Sequence, residues 1–545
     1  MKKIALVRPP ALVGKSALQG PLTPPLGPAY LAASLRAAGH APVIIDAVGE
    51  APFRQVSCFD DRMIAVGLPI DEIVVRIPED ADLVGISCMF SQDWPYAHQI
   101  VKAIRRRFPD TRIVAGGEHI TALPLHTLET CPEIDICVLG EGEETIVDLA
   151  DCIARGGDFE QIKGLAIRRD GVPVRTPPRA RLKGVDAIPQ PAWDLTPIAN
   201  YLDNGMGYGI DMGRSMPALA TRGCPYQCTF CSSPTMWTTR WVARDPAQVL
   251  DEIQEYIERY GATNIDFYDL TAIVKREWIL NFCDLIEKRG MKFTWQIPSG
   301  TRSEALDAEV CHALYRAGCR YVSYAPESGS PPVLERIKKR VKLDRMMVSM
   351  RAAVREGMHT KANMIIGFPD ETRREVWETV GFLARMACAG VHDIGYSTFS
   401  PYPGSELFDD LRVRGKLPEL DENYFLSLVS QTDIGVNVSR CDNLSSRELS
   451  VLRVVGYMTF YGVQYAVRPW RLFRTIFNFV TKRQESRLDK LLIEFSQRRS
   501  AVRRASAAGS PASGELEYGS GPVRPLGERS RSDARSEFGR AGALP

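Results

Sequence analysis

The chain has 545 residues, too many for one hydrophobic core, so two or three domains are expected. Its 45% hydrophobic and 25% charged residues are ordinary for a soluble globular protein, and its net charge of +2 argues against a dedicated nucleic-acid binder. No apolar run is long enough for a transmembrane helix, and the 13 cysteines follow no disulfide pattern, which favours a cytoplasmic location.

Residues 1–158 alternate short apolar strands with helices. The predicted strands are 3–7, 42–46, 83–87, 112–116 and 134–139, and the predicted helices are 27–39, 96–108 and 143–153. This alternation predicts an α/β domain, a doubly wound Rossmann-like sheet with helices on both faces. Ligands of such sheets bind beyond the carboxyl ends of the strands, where glycine lets a backbone come close. The candidate binding positions at these ends are Gly116, Gly117, Gly140 and Gly142.

Residues 159–209 are predicted to link this domain to the next one. A hairpin is expected at 163–175, because Asp170-Gly171 is a strong signal for a tight turn. The proline-rich run at 189–195 is typical of a linker.

Cys224, Cys228 and Cys231 follow a predicted strand at 218–222 with the spacing C-x3-C-x2-C. A structural zinc site or a complete iron–sulfur cage would normally take four protein ligands. Three thiolates on a four-iron cube leave one iron open to chelate a small molecule, so the spacing indicates reactivity. A zinc site with a distant fourth ligand and cysteines that only pack are the alternatives.

Residues 210–415 repeat a strand and a helix roughly six times. The predicted strands are 218–222, 264–269, 294–297, 321–325, 361–367 and 393–397, and the predicted helices include 247–260, 277–289 and 307–317. The repeat predicts a partial, open (β/α)6 barrel with its site at the carboxyl ends of the strands. The cysteine loop lies at such an end.

Residues 416–498 have a helical pattern, and arginines alternate with aromatic residues after 467. Two interpretations are open: a helical cap over a substrate cleft with arginines at its rim, or peripheral membrane contact through 451–480. Either one would suit a hydrophobic substrate. Residues 499–545 contain few large apolar side chains and are predicted to be a disordered tail.

An ordered set of motifs carries a resemblance to a known family. The motifs of the first domain lie at 24–32, 116–119 and 140–143, and those of the core are the cysteine trio, 326–330 and 365–372. Together they resemble the radical S-adenosylmethionine (SAM) family with a cobalamin (B12)-binding domain, that is, the class B radical SAM methylases. The turn at 46–51 departs from the Asp-x-His-x-x-Gly motif of cobalamin domains of the mutase type, so no histidine ligand to cobalt is expected there. His119 and His126 are expected to be solvated or to cap helices.

The resemblance implies three cofactors: a [4Fe–4S] cluster held by the three cysteines, SAM, and cobalamin held near the glycines of the first domain. Glu327 would bind the ribose hydroxyls of SAM, Phe230 would pack near its adenine, and 266–269 stands where relatives contact its amino group. The further SAM-binding positions that the resemblance implies are Ser328, Gly329, Ile365 and Gly367. No residue is assigned a catalytic role.

The activity that the resemblance implies is methylation of an unactivated carbon of a hydrophobic, natural-product or lipid substrate, through a 5′-deoxyadenosyl radical and methylcobalamin. Flavodoxin or ferredoxin would supply electrons. The alternative is an oxidative cyclase or rearrangement enzyme without methyl transfer, similar to the anaerobic Mg-protoporphyrin ester cyclase. A tRNA methylthiotransferase is disfavoured because the first domain lacks a cysteine trio, and a non-catalytic carrier would bind a cluster without cleaving SAM.

Overall fold

The computed structural model describes residues 1–15, 22–302, 305–431, 433 and 435–484, together with 486, 488, 489, 492, 493 and 496. The tail predicted at 499–545 lies outside the described residues. The described chain is an α/β protein with two parallel sheets and a helical C-terminal region.

The first domain is built on a parallel sheet, as predicted. Its strands and those of a small side sheet are β1 (Lys3–Arg8), β2 (Ala11–Gly14), β3 (Ala41–Asp46), β4 (Gln55–Cys58), β5 (Met63–Val66), β6 (Leu83–Ser87), β7 (Arg112–Gly116), β8 (Ile136–Val138), β9 (Leu165–Arg169) and β10 (Val172–Arg175). Its helices are α1 (Leu26–Ala37), α2 (Ala47–Glu50), α3 (Ile70–Arg76), α4 (Trp94–Arg107), α5 (Glu118–Ala122), α6 (Pro124–Thr130) and α7 (Glu143–Arg155). The main sheet has the order β10-β9-β8-β7-β6-β1-β3, and β3 to β8 in that order are parallel.

The predicted hairpin forms the edge of this sheet. β9 pairs antiparallel with both β8 and β10. Asp170 and Gly171 have φ values of +50° and +81°, the left-handed conformations that a two-residue type I′ turn requires. The sequence patterns missed the antiparallel sheet β2-β5-β4, because its strands are only four residues long.

The second domain is the partial barrel. Its strands are β11 (Ser215–Ala218), β12 (Thr221–Arg222), β13 (Val242–Ala243), β14 (Asn264–Phe267), β15 (Thr294–Thr301), β16 (Cys319–Glu327), β17 (His359–Ile366) and β18 (Asp393–Thr398). The helices from the linker to the last barrel strand are α8 (Ile198–Asp203), α9 (Ser233–Trp237), α10 (Pro246–Tyr260), α11 (Arg276–Arg289), α12 (Ala308–Arg316), α13 (Pro331–Arg336), α14 (Leu343–Arg355) and α15 (Arg373–Ala389). Six strands pair in parallel in the order β11-β14-β15-β16-β17-β18, which confirms the predicted architecture.

The first predicted barrel strand is divided in two. β11 joins the barrel, whereas β12 pairs antiparallel with β13 in a separate ribbon. Between them, the Ala220 N–H donates to the carboxylate of Asp269 (3.2 Å). A side chain thus takes the place of a strand partner, and the chain bends toward the cysteine loop.

The C-terminal helices pack in two directions. They are α16 (Glu406–Val413), α17 (Glu422–Ser427), α18 (Ser446–Val467) and α19 (Pro469–Thr481). Phe408, Tyr424 and Phe425 of α16 and α17 join the core of the first domain, whereas Leu449 and Phe460 of α18 join the core of the barrel. This region therefore fastens the two domains to each other.

Helix α19 does not cover the barrel mouth. Arg468 donates to the carbonyl of Ala387 (3.1 Å), and Arg471 donates to those of Gly390 (2.9 Å) and Val391 (3.1 Å). These carbonyls lie in the last turn of α15 and in the segment before the amino end of β18, so the arginines do not line a cleft rim as the cap interpretation expected. In the part of the chain that the structure describes, no helix is both long and apolar enough to cross a membrane.

Candidate active site

The three cysteines lie on one loop between β12 and α9. The Cys231 N–H donates to the Cys228 carbonyl (3.1 Å), and the Ser233 N–H donates to the Cys231 sulfur (3.5 Å). The Thr271 hydroxyl, in the segment after β14, donates to the Cys224 sulfur (3.5 Å). The loop therefore turns back on itself beside the carboxyl end of the second barrel strand.

Two thiols of this loop, those of Cys228 and Cys231, resist ionisation mainly because they are buried. Burial, with smaller contributions from Glu118 and the other two thiols, raises the pKa of Cys231 to about 12. Burial also raises the pKa of Cys228, although the charge of Lys339 opposes the change. Coordination to a metal deprotonates such thiols outright. The donor set fits a cationic metal centre rather than three free thiolates.

The spacing of the sulfur atoms bears on which centre they fit. A tetrahedral Zn²⁺ ion with bonds of about 2.3 Å places its sulfur ligands about 3.8 Å apart. Among the described residues, the cysteine trio does not form a group whose ligand atoms all lie within 4.8 Å of one another. A wider spread suits the corners of an iron–sulfur cube, so these residues fit a [4Fe–4S] cluster with one iron left for SAM.

Glu327 ends β16 in a strained conformation and in a buried ion pair. Its φ of +66° lies in the left-handed region, and such strain in a non-glycine residue clusters at functional sites. Its carboxylate accepts a hydrogen bond from the Lys339 amine (2.9 Å). Burial opposes the charge of Lys339, but Glu327 and Cys228 outweigh it and raise the pKa of the amine. A fixed pair of charges thus stands beside the second cysteine.

The two residues after Glu327 are directed at a helix. The hydroxyl of Ser328 bonds to that of Thr379 (3.1 Å), and the Gly329 N–H donates to the same hydroxyl (3.0 Å). A Cβ atom on Gly329 would lie 2.7 Å from the Thr379 Cα. Ser328 and Gly329 therefore anchor the loop to α15, and their contact with SAM stays a prediction.

Phe230 and Ile365 come together in a small apolar cluster. The ring of Phe230 lies 5.8 Å from that of Phe368, which lies 5.4 Å from that of Phe399. Ile365 packs against the same cluster. An apolar surface next to the third cysteine suits an adenine ring, the role predicted for Phe230 and Ile365.

Two buried carboxylates after barrel strands each keep one oxygen without a hydrogen-bond partner among the described residues: Asp269 Oδ1 and Glu371 Oε1. The other oxygen of Asp269 accepts from the Ala220 N–H (3.2 Å), and that of Glu371 accepts from the N–H of Gly367 (2.6 Å) and Phe368 (3.2 Å). Burial raises the pKa of Asp269 to about 6 and that of Glu371 to about 7. Buried, incompletely paired carboxylates are candidates for binding a cationic ligand atom.

Sequence reasoning missed Lys339 and Thr271. Both lie outside the motifs, and Lys339 stands in a basic run at 338–340 that is typical of a solvated surface. Lys339 could have been expected only through Glu327. A carboxylate that is buried, as its position in a motif suggests, needs a cation nearby.

The glycines at the carboxyl ends of the first sheet have different surroundings. A Cβ atom on Gly117, whose φ is +114°, would lie 2.3 Å from the carbonyl oxygen of Cys88, so the domain itself requires glycine there. Around Gly140 the nearest atom to such a Cβ would be the Met236 carbonyl oxygen of α9, 3.9 Å away. The other two predicted positions lie at the end of β7 and just before α7: Gly116 and Gly142.

The same edge of the first sheet is apolar. Met89 and Phe90, in the loop after β6, are 52% and 53% exposed. At the end of β3, where the turn at 46–51 begins, Asp46 accepts from the Tyr201 hydroxyl (2.7 Å) and pairs with Arg8 (3.3 Å) rather than facing solvent. An open edge with glycine and apolar side chains fits a flat corrin ring that receives no histidine ligand from this turn.

His119 is buried, so the expectation that it is solvated or caps a helix is wrong. Its ring lies between those of Trp94 (4.9 Å) and Phe425 (5.2 Å), and its Nδ1 bonds to the Ser91 hydroxyl (3.0 Å). Burial lowers its pKa to about 3, so the imidazole is neutral. The covering ring comes from α17, some 300 residues later in the chain, which no local pattern reveals.

Motifs from the two domains meet at the cysteine loop. Arg222, which stands before the loop, pairs with Glu143 (2.5 Å) and lies over the ring of Tyr30 (5.1 Å). After the third cysteine, the Ser232 hydroxyl donates to Glu118. These three partners belong to the three motifs singled out in the first domain. The carboxyl ends of the two sheets are therefore joined around one site.

Comparisons with known proteins agree with this architecture. Residues 219–383 match the Radical SAM superfamily, and residues 17–150 match the B12 binding domain. The chain is 31% identical over 487 residues to an uncharacterized methyltransferase of Pyrococcus horikoshii, which covers 88% of this chain and 96% of that protein. It is 29% identical over 322 residues to the anaerobic magnesium-protoporphyrin IX monomethyl ester cyclase of Cereibacter sphaeroides, covering 58% of this chain and 51% of the cyclase.

The fold is shared with a solved enzyme. This structure is the cobalamin-dependent S-adenosylmethionine radical enzyme OxsB with aqua-cobalamin and S-adenosylmethionine bound. The match covers 93% of this chain and 81% of the OxsB chain, with a TM-score of 0.63 and 14% sequence identity.

Proposed function

This chain belongs to the radical SAM superfamily, among the enzymes with a B12-binding domain, and we propose that it methylates an unactivated carbon of a hydrophobic small molecule. Its cofactors are a [4Fe–4S] cluster, SAM and cobalamin. The contact of Arg222 and Ser232 with first-domain motifs supports the proposal most directly, because two cofactors can act on one carbon only if their sites adjoin.

When bound, the cluster and SAM supply a 5′-deoxyadenosyl radical, and methylcobalamin supplies the methyl group. The protein positions these groups. The cysteine trio would hold the cluster, and Glu327, which pairs with Lys339, would accept hydrogen bonds from the SAM ribose. Asp269 Oδ1, which has no hydrogen-bond partner among the described residues, would accept one from the SAM ammonium. Phe230 and its apolar neighbours would keep water away from the adenosine.

Exposed apolar side chains at both sheet ends support a hydrophobic acceptor. Met89 and Phe90 follow β6, and Leu270, which is 41% exposed, follows β14. Tyr208 and Tyr268 add an edge-to-face ring pair (5.8 Å) near the same end of the barrel. Soluble proteins rarely expose such groups together unless the groups bind something.

The experiment uses anaerobically reconstituted protein with hydroxocobalamin, a chemical reductant in place of flavodoxin or ferredoxin, and SAM carrying a trideuterated methyl group. The acceptor probe is an organic-solvent extract of the source cells. We expect 5′-deoxyadenosine and an extracted product that carries the trideuteriomethyl group, both lost in Cys228→Ala.

Two other results would overturn methyl transfer. If a component of the extract is consumed and 5′-deoxyadenosine forms, but the product carries no label, the cyclase or rearrangement alternative is supported. The alignment with the magnesium-protoporphyrin cyclase is the observation that favours this alternative. Bound cluster without any 5′-deoxyadenosine would support a carrier.

The outer face of α19 is proposed to rest on an anionic membrane surface. Trp470, Phe473, Phe477 and Val480 follow helical spacing, and Phe473 and Val480 are 70% and 73% exposed. From 449 to 484 the sequence has no Asp or Glu, and basic residues flank this face. This combination is typical of interfacial helices. Because α19 lies at the amino end of β18, such contact would locate the enzyme rather than deliver the acceptor to its mouth.

Flotation with phosphatidylcholine vesicles, with and without phosphatidylglycerol, tests this contact. We expect binding only to the anionic vesicles and at least a tenfold loss in Phe473→Asp, but no loss in Trp377→Ala, which removes an exposed tryptophan from α15. Protein that stays with the buffer, or that instead forms a dimer through this face, would contradict the proposal.

A further inference from the structure

Three potential metal ligands come together on the first domain, apart from the cysteine motif. His98 lies on α4, Cys131 follows α6, and Glu133 stands in the turn before β8. Their Nε2, Sγ and carboxylate atoms all lie within 4.8 Å of one another. We propose that His98, Cys131 and Glu133 form a second metal site, which binds Zn²⁺.

The distances suit one tetrahedral ion. Glu133 Oε2 lies 3.5 Å from the Cys131 sulfur and 3.9 Å from His98 Nε2. Nitrogen, oxygen and sulfur ligands bonded to tetrahedral Zn²⁺ at about 2.0–2.3 Å lie about 3.4–3.6 Å apart. The two distances to Glu133 Oε2 are therefore within a few tenths of an ångström of those in a coordinating arrangement, and the ligand atoms of His98 and Cys131 lie within 4.8 Å of each other.

The ligands are held in place from several sides. The ring of His98 stacks on that of Trp94, with the centroids 5.4 Å apart. Arg105 donates to the carbonyl of Glu133 (2.8 Å), and Arg168 donates to that of Cys131 (3.0 Å). Supporting contacts of this kind orient metal ligands, and two of these fix the turn that carries the sulfur and the carboxylate.

The Nε2 atom of His98 is available to coordinate a metal ion. This atom is buried and has no hydrogen-bond partner among the described residues. A buried ring nitrogen that faces a thiol and a carboxylate gains a bond if a cation enters. One nitrogen, one sulfur and one oxygen ligand form a borderline set that favours Zn²⁺ over Mg²⁺ or Ca²⁺.

The site would link two segments of the first domain and leave one coordination position of the ion open. Three protein ligands leave a fourth position for water, and the side chains of His98 and Glu133 are 19% and 23% exposed, so an ion can enter. The bound ion would tie α4 to the turn before β8 and would stabilise the first domain through binding linkage.

The test uses the full chain with Cys224, Cys228 and Cys231 changed to alanine, so that the cluster ligands cannot take the metal. Metal analysis after exposure to Zn²⁺ and gel filtration should give one equivalent per chain, and Co²⁺ should give a thiolate-to-cobalt absorption band. Cys131→Ser and His98→Ala, added singly, should remove the band and weaken zinc binding at least about tenfold.

The matched control is Cys137→Ser, which removes a neighbouring buried thiol that is not one of the three proposed zinc ligands and should keep the site. Glu133→Gln, a partly exposed position, tests the site even if a core variant fails to fold: it should abolish the rise in melting temperature that Zn²⁺ gives the parent chain. Absence of zinc in the parent, or equal zinc binding in the parent, His98→Ala and Glu133→Gln, would overturn the proposal.

Discussion

The two parallel sheets bring different chemistry to one place. At the carboxyl ends of the barrel strands stand thiols, a buried ion pair and buried carboxylates such as Asp269, whose Oδ1 has no hydrogen-bond partner in the part of the chain that the structure describes. At the same ends of the first sheet stand glycines and exposed apolar side chains, such as Gly140 and Phe90. A cluster with SAM needs fixed charges and thiolates, whereas a corrin ring needs backbone clearance and apolar contact. The barrel end thus offers charged groups and thiols, and the first sheet offers glycine and apolar side chains, as expected if each sheet holds one cofactor.

The largest expected effect is on the cofactor site at the end of the barrel. Cys228→Ala removes one of the three proposed cluster ligands, and we expect iron content and 5′-deoxyadenosine formation to fall more than about 100-fold. Cys388→Ala, at an exposed cysteine, is the matched control and should keep both. Full activity in Cys228→Ala would remove the cysteine trio from the chemistry.

The next largest effect tests the ion pair that joins the two domains. Arg222 and Glu143 are both buried, and removing one partner of such a pair costs about 3–5 kcal/mol. Arg222→Met should therefore lower the melting temperature by on the order of 10 °C. Arg259→Met, which removes an exposed i,i+4 pair, should change it little. Equal melting temperatures in the two variants would show that this contact does not join the domains.

Two adjacent lysines sharpen the assignment of Glu327. Lys339 pairs with Glu327 in the interior, whereas Lys338 pairs with Glu406 at the surface. Glu327→Gln should weaken SAM binding about 10- to 100-fold, because it removes a charged hydrogen-bond acceptor. Glu406→Gln should leave SAM binding unchanged in the same equilibrium dialysis. If Glu327→Gln lowers only the melting temperature, the pair is structural.

The smallest effect concerns the neutral histidine of the first domain. The pKa of His119 falls to about 3 in the folded state, so below pH 6.5 the unfolded chain takes up a proton that the folded chain does not. Stability is therefore lost as pH falls from 6.5 toward 3, by up to about 1.4 kcal/mol per pH unit. Melting temperatures at pH 5.0 and 7.5 should differ less in His119→Gln than in the parent. The same substitution at the exposed His312 should not reduce the difference.

The regular elements could largely be predicted, because hydrophobic periodicity reports which face of a strand or helix is buried. The predicted helix at 277–289 begins one residue after the observed α11, and the six barrel strands pair in chain order. The short strands of the side sheet could not be predicted, since four residues carry too little periodicity.

The cysteine motif and the two α/β domains could be predicted from local spacing and hydrophobic periodicity, and the cofactors from motifs of a few residues that resemble the radical SAM family. Three features became visible only in the folded chain: Lys339 pairs with Glu327, α17 buries His119, and α19 lies near the amino end of β18. Each of these joins residues that are distant in sequence or outside any motif, and burial and charge pairing arise only when distant segments pack together.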